Sequence, residues 1–296
     1  MTRFKRKMIY SAIGLLGGLL AWSLSALSLK LATSFPSFLS FSLVTGFLLG
    51  GSLGAYFGSL EGLTQSVRSK MISGIRMGVL FGGLGGILGF LLGQGFLLFF
   101  GDYFIHSTEE LRQWGLPLSK VISWVILGAI LGSIEGLRSL SLQKIKVGII
   151  GGAIGGLFGG FALEFLPLWL PALVYADLIG LCLLGLAIGG SFGLIEEQFS
   201  TAVLRVLNGP FKGKEYLLLA KKSRIGEAPK GEICLSGYRN MAPLAARAVI
   251  NKGQVYLEKL SDSANLKVND QALTTNPLAG EDIIQVGSAK FIFYYR

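Results

Sequence analysis

Charge is scarce in this 296-residue sequence. Asp, Glu, Lys and Arg make up 15% of it, against about 25% in ordinary soluble domains. Cysteine is limited to Cys182 and Cys234, which excludes a disulfide framework and any cysteine-based metal-ligand spacing. Histidine occurs once, at His106. A nucleophilic serine needs a base within reach. The two strings Gly50-Gly51-Ser52-Leu53-Gly54 and Gly189-Gly190-Ser191-Phe192-Gly193 have none nearby, so they read as chance matches in glycine-rich helices. The run Gly82-Gly83-Leu84-Gly85-Gly86 lacks the preceding strand of a nucleotide loop. No base, metal set or cofactor phrase remains, and the chain reads as a non-enzyme without a cofactor.

What is present is apolar residue and glycine. The apolar fraction is 51%, the mean hydropathy +0.60, and there are 43 glycines. Residues 1–207 hold 14 basic and 9 acidic residues, and residues 208–296 hold 13 and 8. Charge is therefore thin only in the longer part. This predicts a membrane domain over 1–207 and a soluble domain over 208–296. The net charge of +10 does not point to nucleic acid, because much of it flanks the apolar segments.

Those segments run over 8–29, 38–59, 78–100, 118–134, 148–166 and 178–195. Most approach the ~20 residues a helix needs to cross the hydrocarbon. Eleven basic residues, from Arg3 to Arg205, fall at one set of ends; only Lys30, Arg112 and Lys120 fall at the other. Positive residues stay in the cytoplasm. Both termini are thus expected there, in a multi-pass protein of the cytoplasmic membrane, with His106 on the opposite side. Phe4-Lys5-Arg6-Lys7 and Ala26-Leu27-Ser28 also fit a signal peptide, but an uncleaved first helix completes an even set of spans.

One phrase occurs three times: Gly54-x-x-x-Gly58-x-x-Glu61, Gly128-x-x-x-Gly132-x-x-Glu135 and Gly189-x-x-x-Gly193-x-x-Glu196. A glycine follows thirteen residues after each Glu, at Gly74, Gly148 and Gly209. Fixed spacing of this kind marks a repeat. It predicts three glycine-rich helical hairpins, side by side or about a pseudo-threefold axis. The linkers 62–73, 136–147 and 197–208 mix apolar and basic residues, and suit surface helices or helix extensions. Glu61, Glu135 and Glu196 close the spans. Carboxylates in such places are functional candidates. They either pair with linker cations or cap a linker helix, or form a ring at an ion or proton mouth. Glu164 is expected at the outer interface.

From Gly209 onward, short alternating runs separated by turn residues predict a small β-sandwich. The runs Ser223-Arg224-Ile225-Gly226-Glu227, Gly231-Glu232-Ile233-Cys234-Leu235, Arg247-Ala248-Val249-Ile250, 254–260, Lys267-Val268-Asn269-Asp270 and 280–287 together resemble a forkhead-associated (FHA) domain. That resemblance implies a sandwich whose loops at one end bind phosphothreonine peptides. The phosphate-reading positions depart from the family. Its Gly-Arg is Gly226-Glu227 here, its Ser-x-x-His is Leu244-Ala245-Ala246-Arg247, and its Asn-Gly-Thr is Ala264-Asn265-Leu266. A phosphate needs cations and hydroxyl or amide donors, so these positions are degenerate. Arg224, Arg239 and Arg247 are the residues that could rebuild a cationic site.

The expectation is a non-enzymatic integral membrane protein that displays an FHA-like module to the cytosol for scaffolding or signalling. Its partners are the lipid bilayer and a cytosolic protein, a phosphoprotein included; homo-oligomerisation stays open. The alternative is a transporter or channel subunit with a regulatory FHA-like domain.

Overall fold

The computed structural model describes residues 3–104, 108–228, 231–261, 265–272 and 277–296. Among the described residues six helices are long and apolar enough to cross a membrane. They are α1 (Arg3–Lys30), α2 (Phe38–Gln65), α3 (Arg68–Phe104), α4 (Leu116–Arg138), α5 (Leu142–Trp169) and α6 (Ala176–Gln198). A π-helical turn at Leu111–Gly115 leads into α4. All the helices but α2 outrun their apolar segments at both ends, and α2 does so at its C-terminal end, because the polar linkers continue the helical turns. Between α2 and α3 only Ser66, in the left-handed region at φ 61°, and Val67 interrupt the helix. Between α4 and α5 the break falls at Leu140, φ 50°, and Ser141 accepts the amide of Lys144 as a cap. At the other end of α2, Ser37 and Ser40 form a capping box.

Each helix packs on its neighbours in sequence, and α6 packs on α1, so the six close into a ring. Lipid offers little hydrophobic drive between helices, and close backbone approach takes its place. The tightest seams run between α2 and α3 and between α4 and α5. A Cβ at Gly54 or Gly58 would overlap the carbonyl of Gly78 or Gly74, and one at Gly128 or Gly132 that of Gly152 or Gly148. The seam between α6 and α1 brings Gly185 onto Gly14 and Gly189 onto Tyr10. At the far end, Glu164 of α5 accepts the indole N–H of Trp124 at 2.8 Å and pairs with Lys120 at 3.1 Å.

The third linker differs from its expected form. Helix α6 ends at Gln198, and residues 202–206 are strand β1 (Ala202–Val206), ahead of the sequence-based boundary at 207. The physical reason is burial on both faces. Ala202, Val203, Leu204 and Val206 are buried and only Arg205 is exposed, so this is a central strand and not an amphipathic surface helix.

Among the described residues nine more strands follow: β2 (Glu215–Leu218), β3 (Lys222–Gly226), β4 (Ile233–Cys234), β5 (Ala246–Asn251), β6 (Gln254–Lys259), β7 (Leu266–Val268), β8 (Gln271–Ala272), β9 (Ile283–Val286) and β10 (Ala289–Tyr295). One sheet has the order β2-β1-β10-β9-β7-β8 and the other β4-β3-β5-β6. Pairing is antiparallel except between β3 and β4. Alternate residues of both sheets meet in one core that includes Leu204, Ile225, Val255, Ile284, Phe291 and Phe293. Phe291 and Phe293 are fully buried, each stabilising the sandwich by roughly 1.5–3 kcal/mol.

Candidate functional site

The three carboxylates of the repeated phrase lie at the sandwich end of the ring, each beside a cation. Glu61 pairs with Lys70 at 3.2 Å and with Arg138, and accepts from Gln65 at 3.0 Å. Glu135 pairs with Lys144 at 2.9 Å. In both cases the lysine stands nine residues after the Glu. The third Glu breaks the rule. Its counterpart Arg205 is on β1, and Glu196 pairs instead with Arg6 of α1, while Lys7 pairs with Glu197. The ring thus supplies from α1 the cation that the third linker has lost to the sheet.

Glu61, Glu135 and Glu196 line one small void of about 60 Å³, with Arg6 and Lys144 from the ring and Lys214, Tyr216 and Glu232 from the sandwich. The sandwich therefore sits over the centre of the ring. Among the described residues no group of three or more His, Cys, Asp or Glu converges on a metal position. Ser52 donates its hydroxyl to the carbonyl of Leu49, a helical packing role; His106 lies outside the described residues.

The sandwich docks through its edges. Lys70 donates to the carbonyl of Gly231 at 2.7 Å, and Gln65 to that of Glu232 at 2.9 Å, just ahead of edge strand β4. Edge strand β2 contributes Glu215, Tyr216 and Leu217 to the void. Open sheet edges invite further strand pairing, and here two of them face the helical ring. At the chain junction Arg296 reaches Ser200 at 3.4 Å and Glu197 at 3.9 Å. Lys214 lies over the rings of Phe211 and Tyr216, 4.5 and 5.4 Å from their centroids. Burial, and secondarily the nearby Lys70, lowers the Lys214 ammonium to about 8.

The loop residues gather at one end of the sandwich. Glu227 follows β3, is exposed, and its amide donates to the carbonyl of Ala242 at 3.2 Å. Leu244, half-buried, precedes β5. Asn265 is exposed and accepts the amide of Gly287 at 2.8 Å; Arg239 is exposed and its backbone is tied to Ser288 by two hydrogen bonds. Ala264 lies outside the described residues. The remaining arginines stand elsewhere. Arg224 and Arg247 are register partners on the outer face of the smaller sheet. Arg224 makes a two-pronged contact with Glu232 at 3.1 and 3.2 Å, and Arg247 lies 3.5 Å from Glu258. Burial works against the Glu232 carboxylate, yet the hydrogen bonds from Arg224 hold it below the usual carboxylate range and raise the guanidinium in turn. So the structure brings Glu227, Arg239, Leu244 and Asn265 to one end and places Arg224 and Arg247 in ion pairs across a sheet.

The spacing of Glu61 to Lys70 and of Glu135 to Lys144 is visible in the sequence. The partner of Glu196 and the docking edges are not, because both depend on elements distant in the chain.

No family model and no curated relative matches the chain. Solved FHA domains are similar to its C-terminal part. One, studied for phosphothreonine-dependent FHA domain interactions, is 19% identical, covers 33% of this chain and 98% of its own, and has a TM-score of 0.30. The FHA domain of the CT664 protein from Chlamydia trachomatis is 22% identical, with 33% and 99% covered and a TM-score of 0.30. That of a hypothetical protein from Arabidopsis thaliana is 19% identical, with 32% and 86% covered and a TM-score of 0.30.

Proposed function

We propose that this is a non-enzymatic protein of the cytoplasmic membrane, with both termini in the cytosol, that uses its FHA-like sandwich to recruit a cytosolic protein. The membrane ring and the sandwich act as two units joined near Ser200 and Thr201. One observation carries the reading: docking through the β2 and β4 edges leaves the loop end free, with Glu227, Arg239 and Asn265 exposed. The partner contact is not a phosphate clamp. An acid stands where the family has its arginine, and Arg224 and Arg247 are held by Glu232 and Glu258. A photo-reactive residue placed at Arg239 or Asn265 of the full-length protein should capture the same partner from cell extract, whether or not the extract is first treated with phosphatase. One at Lys252, exposed in the β5–β6 turn at the opposite end of the sandwich, should not. Identical capture from all three positions would defeat the reading.

A further inference from the structure

Beside the docked edge lies a wider groove of about 730 Å³. Lys146 of α5, Lys221 and Lys222 at the β2–β3 turn, and Arg224 and Arg247 of the smaller sheet line it with a single acid, Glu232. Arg224 already holds Glu232, and Arg247 is next to Glu258. The three lysines are exposed and, among the described residues, make no ion pair. The groove is therefore strongly cationic.

Its other wall is the α4–α5 loop. Leu140 is 90% exposed in a left-handed conformation, and Leu142 is 76% exposed. Two bare leucines beside three bare lysines make an amphiphilic surface. Its depth is set by α5. That helix has 28 residues, so it spans about 42 Å, some 12 Å more than the hydrocarbon. Ile149 and Ile150 are exposed apolar residues on it. Lys146 lies about one turn, or ~5 Å, nearer the sandwich. This puts the groove at the level of lipid headgroups.

We propose that the groove binds the phosphate of an anionic lipid headgroup. Lys146, Lys221 and Lys222 supply charge-assisted hydrogen bonds to the phosphate oxygens, and Leu140 and Leu142 rest against the glycerol and the first acyl carbons. A free phosphate would use the lysines but leave the leucines bare. The inference is independent of the protein-recruitment reading, since it concerns a different face of the sandwich.

The test uses the full chain in neutral detergent. Its thermal midpoint is followed on addition of dihexanoylphosphatidylglycerol, dihexanoylphosphatidylcholine or inorganic phosphate. The anionic lipid should stabilise at the lowest concentration, inorganic phosphate only at much higher concentration, and the zwitterionic lipid hardly at all. In Lys146→Gln/Lys222→Gln the concentration needed should rise about 25-fold, about fivefold for each lysine. Lys259→Gln/Lys290→Gln, on exposed strands elsewhere, should behave as wild type. Leu140→Ser should weaken the lipid response and leave the phosphate response unchanged. Equal response to the two lipids would overturn the proposal, as would phosphate matching the anionic lipid or an undiminished response in the groove variant. Should the groove variant fail to fold, the three wild-type titrations decide.

Discussion

Arg6, at the start of α1, pairs with Glu196, at the end of α6, and so ties the first transmembrane helix to the last. The pair is nearly enclosed, with side-chain exposures of 18% and 7%. Removing one member of such a pair leaves the other charge buried and uncompensated, at a cost of about 3–5 kcal/mol. Arg6→Met should therefore lower the thermal midpoint in detergent far more than the Arg6→Met/Glu196→Met double variant does. Additive losses would show that the two residues do not act together.

The glycine seams make a second prediction. A side chain at Gly82 would meet the backbone of α2 at Gly50 and Gly54, and one at Gly156 the backbone of α4 at Trp124. Overfilling a tight contact costs typically 1–3 kcal/mol, and more when backbone must move. Gly82→Leu and Gly156→Leu should each open the ring and reduce thermal stability. Leu91, 40% exposed on α3, should accept Phe with a change within about 0.5 kcal/mol. Equal midpoints for all three variants would remove the seam argument.

Phosphate dependence is the third. On the proposed reading, in which Glu227 and Leu244 stand at the phosphate-reading positions, the sandwich should bind phosphothreonine peptides weakly or not at all. Charge-assisted hydrogen bonds contribute about 1.5–3 kcal/mol each, and losing two or three of them removes several powers of ten in affinity. Titration calorimetry of the full chain against a phosphothreonine peptide library is the measurement. Low-micromolar binding that vanishes on dephosphorylation would mean that Arg239 or a freed Arg247 has rebuilt the site.

The fourth concerns pH. The Lys214 ammonium is lowered from 10.5 to about 8 in the folded protein. Between those values the unfolded chain binds more protons than the folded one, so stability rises with pH through that window. Burial pushes the Tyr216 phenol up, so it opposes the trend only where free tyrosine ionises, near pH 10. From pH 8 to 10 the wild-type midpoint should therefore climb relative to that of Lys214→Met, which keeps the apolar contact and loses the titration. Parallel curves for the two proteins would contradict the assignment.

How far the sequence discloses this structure depends on the range of each signal. Hydropathy is local, so all six spans were legible; their true ends were not, because Ser66 and Leu140, in left-handed conformations, set the breaks and not the polar residues around them. Strand β1 was hidden because burial on both faces leaves no alternation to read, and one of its two pairing partners, β10, lies at the far end of the chain. Strand β3 was visible only through the FHA resemblance, since Lys222 and Arg224 point outward and mask the buried Ser223 and Ile225. The resemblance also named Glu227, Leu244 and Asn265 as loop positions, and the three lie outside the strands. It said nothing of which edge would dock, because β2 and β4 carry no residue pattern that marks them as covered. The ring closure was equally silent, as Gly14 and Gly185 belong to opposite ends of the membrane domain.

That closure has a consequence for biogenesis. Helix α1 is synthesised before α6; its glycine seam at Gly14 has no facing backbone, and its Arg6 guanidinium only Tyr10 of the same helix, until α6 enters the bilayer. The ring therefore cannot be completed step by step as each hairpin inserts. It stays an open arc through five insertions and shuts on the sixth, and β1 begins four residues after α6 ends. Strand β1 then waits for β10 at the end of the chain before the larger sheet can form, so membrane closure precedes completion of the sandwich. A chain arrested before α6 would leave a bare glycine face on α1 in the bilayer, and Arg6 at the sandwich end of the ring without its carboxylate.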